Sequence, residues 1–181
     1  MNKGIIIYDN IHGYIEVDLL CKQIIDTPLF QRLRRIQQVG VLKYIFPTCI
    51  HTRFEHSIGT YYLANKMITN LQKNQPELGI TTNIIKVIKI AGLCHDLGHL
   101  LYSHLFDDMF LPKLKNYSDL GDNVYHEVRS VKILGAIIDR YNINITKDEL
   151  TVIGDLINSN TNNYNNWISE FKIGKWIFEI I

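Results

Sequence analysis

A mainly helical, all-α fold with a small β-hairpin at its amino end is predicted by three features of the 181-residue chain. Two short apolar segments, Ile5-Ile6-Ile7-Tyr8 and Tyr14-Ile15-Glu16-Val17, flank Asp9-Asn10 and Gly13, residue types that turn a hairpin. Apolar residues recur at helical spacing through most of the remainder. Two helix-start signatures, Thr27-Pro28 and Thr146-Lys147-Asp148-Glu149, punctuate that pattern.

After the hairpin, Thr27 offers a capping hydroxyl before a proline at the first helical position, opening a helix through Phe30, Leu33 and Ile36. A second helix follows from Ile58, Tyr61, Tyr62, Leu63, Met67 and Ile68, with His56 at its start. Ile84 to Cys94 is an apolar run that reads as a buried helix. The capping box at Thr146 and Glu149 then precedes Leu150, Val152, Ile153, Leu156 and Ile157. Gly79-Ile80-Thr81-Thr82 and the Asn-rich stretch Asn158 to Asn166 read as polar connections rather than domain linkers, and no internal repeat is visible. One domain spanning 1–181 is expected. Trp176, Ile177, Phe178, Ile180 and Ile181 would invite association if exposed, so they are expected to dock into the core, meet a second subunit, or mark a truncated larger protein. A homo-oligomer is the expectation.

A hydrophobic content of 46% supports one buried core, while 19 basic against 18 acidic side chains leave a net charge of +1. That balance gives no global attraction to nucleic acid or an anionic membrane. Locally, Arg32, Arg34, Arg35 and Lys43 read as an exposed helix face or a basic patch for nucleotide phosphates or RNA. Cys21, Cys49 and Cys94 form neither a CxxC pair nor a disulfide framework. The start Met1-Asn2-Lys3-Gly4 leads into too short an apolar stretch for a signal peptide, and no run reaches membrane-spanning length. An intracellular setting, cytoplasmic or nuclear, without a membrane partner is expected.

The chemistry lies in four separated groups: His56, the pair His95-Asp96, then His99 with His104 and Asp107, and His126. Neighbouring helical residues point about 100° apart, so His95 and Asp96 at the end of an apolar helix can grip one ion from two directions. A buried carboxylate there needs a cation or hydrogen-bond donors. His56 is the natural third ligand, and the cofactor expected is a divalent metal, with Fe, Mn, Zn and Mg all compatible with two imidazoles and a carboxylate. His95-Asp96-Leu97-Gly98-His99 also has the spacing of a peptidase zinc helix, but Gly98 weakens a helix there and Asp is shorter than the Glu such enzymes use. Taken alone, His104 with Asp107 suits a surface ion pair and His126 a helix cap.

His51-Thr52-Arg53-Phe54-Glu55-His56-Ser57-Ile58-Gly59, Ile90 to His99 and Tyr102-Ser103-His104-Leu105-Phe106-Asp107 resemble the HD-domain deoxynucleotide triphosphohydrolase family. The likeness extends upstream through Ile11-His12-Gly13, Ile24 to Pro28, Phe30 to Arg34 and Phe46-Pro47, and downstream through Asn74 to Leu78 as far as His126. It implies His56, His95 and Asp96 as metal ligands. It also implies His104, Asp107 and His126 as the cluster beside the scissile phosphate, with His99 and Arg53 on the phosphates and Gln38 against the deoxyribose. The implied reaction releases deoxynucleoside and triphosphate from a dNTP by attack of water on the α-phosphorus. On the residue chemistry His104 is the expected acid for the leaving oxygen, with Asp107 to orient or charge-stabilise it and His126 to complete the relay. Asp26, Gln31 and Arg34 match positions that read an activating guanine nucleotide, whereas Ile5 and Tyr8 stand where relatives carry a lysine and an asparagine, so loss of that activation is expected.

The family's metal site takes a fourth ligand, an aspartate beyond a segment resembling Trp176 to Ile181. The chain is therefore expected to lack that ligand and the carboxyl part of the family's catalytic domain. Asp155 is the internal substitute in principle, with a solvated helix-surface acid as its expected role. Two rival functions fit the same residues: a catalytically silent, nucleotide-binding regulatory chain, and a phosphohydrolase of RNA ends or other phosphoesters.

Overall fold

The computed structural model describes residues 4–181. Met1, Asn2 and Lys3, part of the amino-terminal stretch considered above, lie outside the described residues. Strands β1 (Ile5–Asp9) and β2 (Gly13–Val17) pair antiparallel with Ile5 opposite Val17 and Asp9 opposite Gly13. Gly13 takes a left-handed φ of 74° that its missing Cβ permits, and Asp9 Oδ1 accepts from the Ile11 and His12 amides at 2.9 and 2.8 Å to close the turn. Ile15 and Val17 face the core while Tyr8 and Tyr14 stay exposed, the alternation of a half-buried ribbon.

Six helices follow: α1 (Leu19–Ile25), α2 (Pro28–Gln31), α3 (Arg53–Asn74), α4 (Thr82–Cys94), α5 (His126–Tyr141) and α6 (Lys147–Ile157). The predicted caps are present: Thr27 accepts from the Phe30 amide at 3.3 Å, and the Thr146 amide and Glu149 carboxylate meet at 2.8 Å. The helix predicted through Ile36 is shorter than its pattern suggests. It tightens to a 3₁₀ turn over Arg32–Arg35, and Ile36 is extended, because the chain must swing round for Gln37 to bridge Thr52 at the start of α3.

Helix α4 is the spine, apolar nearly all round, packed between α3 and α6. Ile84, Ile88, Ile90 and Leu93 are fully buried on it. The Asn-rich stretch is a loop with a 3₁₀ turn over Thr161–Asn166. Beyond it Trp167, Phe171, Ile177 and Phe178 are buried, and Trp176, Ile180 and Ile181 pack partly buried against the core. These apolar groups dock into the core, one of the fates expected for them. Among the described residues, no helix is long and apolar enough to cross a membrane.

Candidate metal centre

The close approach of α3 and α4 builds the first half of the site. A Cβ on Gly92 would lie 3.1 Å from the Ala64 Cβ and 3.3 Å from the Thr60 carbonyl oxygen, so the glycine lets the two backbones nearly touch. His56 sits one turn from Thr60 on α3, and His95 caps α4 three residues after Gly92. Their imidazoles therefore face each other. His56 Nε2 lies 3.1 Å from both His95 Nε2 and Asp96 Oδ2, and the last two atoms are 3.3 Å apart. A single ion with ligand bonds near 2.1 Å separates its donors by roughly 3.0 to 3.4 Å, so this triangle fits a metal as it stands. His95 Nδ1 lies 2.9 Å from the Gly92 carbonyl oxygen, and donation to it leaves the Nε2 lone pair for the centre.

Asp96 is 3% exposed. Burial alone would raise its pKa, but the imidazoles of His56, His95 and His99 around it reverse that and hold it well below the usual carboxylate range. Burial opposes a charge on His95 too, yet the adjacent Asp96 carboxylate wins and raises its pKa.

The second cluster meets the other face of that carboxylate. Asp96 Oδ1 lies 3.3 Å from His99 Nε2 and 3.8 Å from His126 Nε2, while Asp107 Oδ2 lies 3.7 and 3.9 Å from their Nδ1 atoms. His99 and His126 are stacked with ring centroids 3.9 Å apart, so two imidazoles lie side by side between two carboxylates. Burial, then the neighbouring His99, pushes the His126 pKa down to about 4, and burial lowers that of His99. His104 is exposed and stands edge-on, its centroid 4.7 Å from His99 and 5.3 Å from His126. It follows Tyr102 and Ser103, whose φ values of 65° and 56° are left-handed, a strained turn of the kind found where a side chain must be aimed.

The structure corrects the expected pairing of Asp107 with His104. The carboxylate faces His99 and His126, and its other oxygen accepts from Arg129 at 2.6 Å. Arg53 is 2% exposed, pairs with Asp96, and donates to Ser103 Oγ at 3.0 Å and to the Gln38 carbonyl oxygen at 3.3 Å. Gln38 thus meets the site through its backbone, with its side-chain oxygen buried nearby. Of the guanine-nucleotide set, Asp26 pairs with Lys22 at 2.5 Å, while Gln31 donates to the Ile25 carbonyl oxygen and accepts from Arg34, which lies over the Phe54 ring. Ile5 is half-buried on β1 and Tyr8 exposed.

Asp155 is not the solvated acid expected. It is buried and accepts from the Trp167 indole at 2.8 Å and the Asn163 amide at 3.0 Å, which anchors the Asn-rich loop. Nor does Arg32 belong to a basic patch: it donates to the His99 carbonyl oxygen at 2.7 Å and to that of Leu97. Sequence reasoning missed Arg129 and Ser130 altogether. Their only signal was spacing, three and four residues after His126 on one helical face.

Residues 53–172 match the family model described as HD domain. The chain is 48% identical over 131 residues to the deoxynucleoside triphosphate triphosphohydrolase SAMHD1 of Danio rerio, a match covering 72% of this chain and 20% of that protein. It is 43% identical over 155 residues to the SAMHD1 homolog of Dictyostelium discoideum, covering 84% and 29% respectively. A putative HD domain-containing protein, L394 of Acanthamoeba polyphaga mimivirus, is 38% identical over 162 residues, covering 82% and 34%. The matched region is thus a fifth to a third of these relatives' length.

Proposed function

The chain belongs to the HD domain family, and on that footing we propose that it is a metal-dependent phosphohydrolase of deoxynucleoside triphosphates that releases deoxynucleoside and triphosphate. The observation that carries this reading is the donor triangle of His56, His95 and Asp96 with a second imidazole cluster on the opposite oxygen of the same carboxylate. Similarity to deoxynucleoside triphosphate triphosphohydrolases supports the choice of substrate.

His56, His95 and Asp96 would hold a divalent ion, which would supply Lewis-acid polarisation of a phosphoryl oxygen when bound. Asp96 joins the two halves, Oδ2 toward the triangle and Oδ1 toward His99 and His126. Water attacks the α-phosphorus and releases its proton to solvent, while His104, exposed beside His126, would give a proton to the departing 5′-oxygen. His126, neutral at physiological pH, and His99 line the floor on which an α-phosphate rests. Arg53 directs its guanidinium at Asp96, so it reaches phosphate only by sharing donors between the two anions.

Incubation of the manganese-loaded chain with each dNTP, followed by separation of products, tests the reading. Deoxynucleoside and inorganic triphosphate in equal amounts are expected. A folded, metal-bound chain that yields neither, yet binds dNTP in calorimetry, would establish the silent regulatory function instead.

A further inference from the structure

The turn that carries His99 is gripped by arginines. Three consecutive backbone carbonyls, those of Leu97, Gly98 and His99, each accept from a guanidinium: Arg32 takes the first and third, Arg129 the second at 2.9 Å. Arg129 goes further. Its Nη1 donates to the Asn123 and Val124 carbonyl oxygens at 2.7 and 2.9 Å, just ahead of His126, and its Nη2 donates to Asp107 Oδ1 at 2.6 Å. One side chain thereby ties together the three segments that supply His99, Asp107 and His126.

The reach follows from helix geometry. Arg129 lies three residues into α5 after His126, and helical side chains lean toward the amino end, which brings its guanidinium back over the first turn. Ser130 completes the hold by accepting from the Gly98 amide and donating to the His95 carbonyl oxygen, both at 2.7 Å. Gly98 has no room for a side chain, since a Cβ would come within 2.1 Å of the His126 carbonyl oxygen.

We propose that Arg129 is a positioning residue of the proposed phosphohydrolase site: it fixes Asp107 Oδ2 toward the stacked rings of His99 and His126 and sets their separation from Asp96. The proposal rests on the functional reading above. Asp107 Oδ2 and both ring nitrogens of His99 are buried without a hydrogen-bond partner among the described residues. Their spacing is therefore imposed from outside, and Arg129 is the group that imposes it on all three segments. A lysine cannot substitute, because the four bonds use the fork of a planar guanidinium.

Steady-state kinetics on manganese-loaded Arg129→Lys and Arg129→Ala chains, with metal content and thermal unfolding measured alongside, test this. Both substitutions are expected to lower kcat about 10- to 100-fold with metal content at the parent level, KM is expected within about twofold, and methylguanidinium is expected to restore part of kcat in Arg129→Ala alone. A folded variant with the parent's kcat overturns the proposal, as does a loss of rate that merely follows loss of metal. Imidazole ¹⁵N spectra separate this outcome from failure of the functional reading. If the parent turns over no dNTP, the reading falls, and Arg129→Lys must still shift the His99 and His126 resonances while leaving His56 and His95 in place. Unchanged His99 and His126 resonances sink the positioning role whatever the activity.

Discussion

The two halves of the site are held by different physics. The His56, His95 and Asp96 triangle is set by two long helices packed until a glycine lets their backbones meet. The His99, His104 and His126 cluster stands on turns and a helix start, held by hydrogen bonds from Arg32, Arg129, Ser103 and Ser130 to backbone and side-chain oxygens. A site half-built on packing is robust to loss of any one polar bond, whereas a half built on polar bonds transmits each loss directly to its side chains.

The largest effect is expected when the triangle itself is removed. Replacing both His95 and Asp96 with Ala is expected to abolish stoichiometric metal binding and lower turnover by more than about 1,000-fold, as read by elemental analysis and product assay. Equal metal content in parent and variant would dismiss the assigned ligands. Gly92→Val attacks the packing instead. The Cβ alone would already press on the Ala64 Cβ and the Thr60 carbonyl oxygen, so a loss of about 1–3 kcal/mol in denaturant unfolding is expected for the bulkier valine, together with weaker metal binding.

Ser130→Ala strikes the polar half. It leaves the buried Gly98 amide without an acceptor and the His95 carbonyl oxygen without this donor, and a loss of about 1–3 kcal/mol is expected. Metal content should hold while turnover falls, whereas Gly92→Val should lose metal and turnover together. If the two variants instead lose metal in parallel, the halves do not differ as described.

The mildest test is titration. His126 has a folded pKa near 4 against an ordinary 6.5, so the unfolded chain takes up its proton first. Stability from this residue is complete above the unfolded value and is lost as pH falls toward 4. With metal removed by a chelator, the parent should lose about 1 kcal/mol more than His126→Asn between roughly pH 6.5 and 5.5. Coincident pH profiles for the two would mean that His126 is not kept neutral by its surroundings.

Much of this was legible in one dimension. Turn residues placed the hairpin, a threonine hydroxyl before proline and a Thr-Glu box placed two helix starts, and the apolar run before His95 placed the spine. The proximity of His56 to His95 and Asp96 also follows from pattern, because each histidine marks one end of a helix that must pack. The partners of Asp107, Arg53, Asp155 and Arg32 did not follow. Asp107, Asp155 and Arg32 looked like surface charges and Arg53 like a phosphate contact, and each is held by groups that no periodicity links to it.

The chain by itself determined where backbone order begins and ends and which imidazoles and carboxylates are candidates for metal binding and proton transfer, since caps, turns and apolar spacing act over a few neighbouring residues. Only the tertiary structure decided which charge answers which: Arg32 meets a carbonyl 65 positions away and Arg53 a carboxylate 43 positions away. Hydrogen bonds and ion pairs form over a few ångströms of space, and distance along the sequence says nothing of that separation until helices have packed.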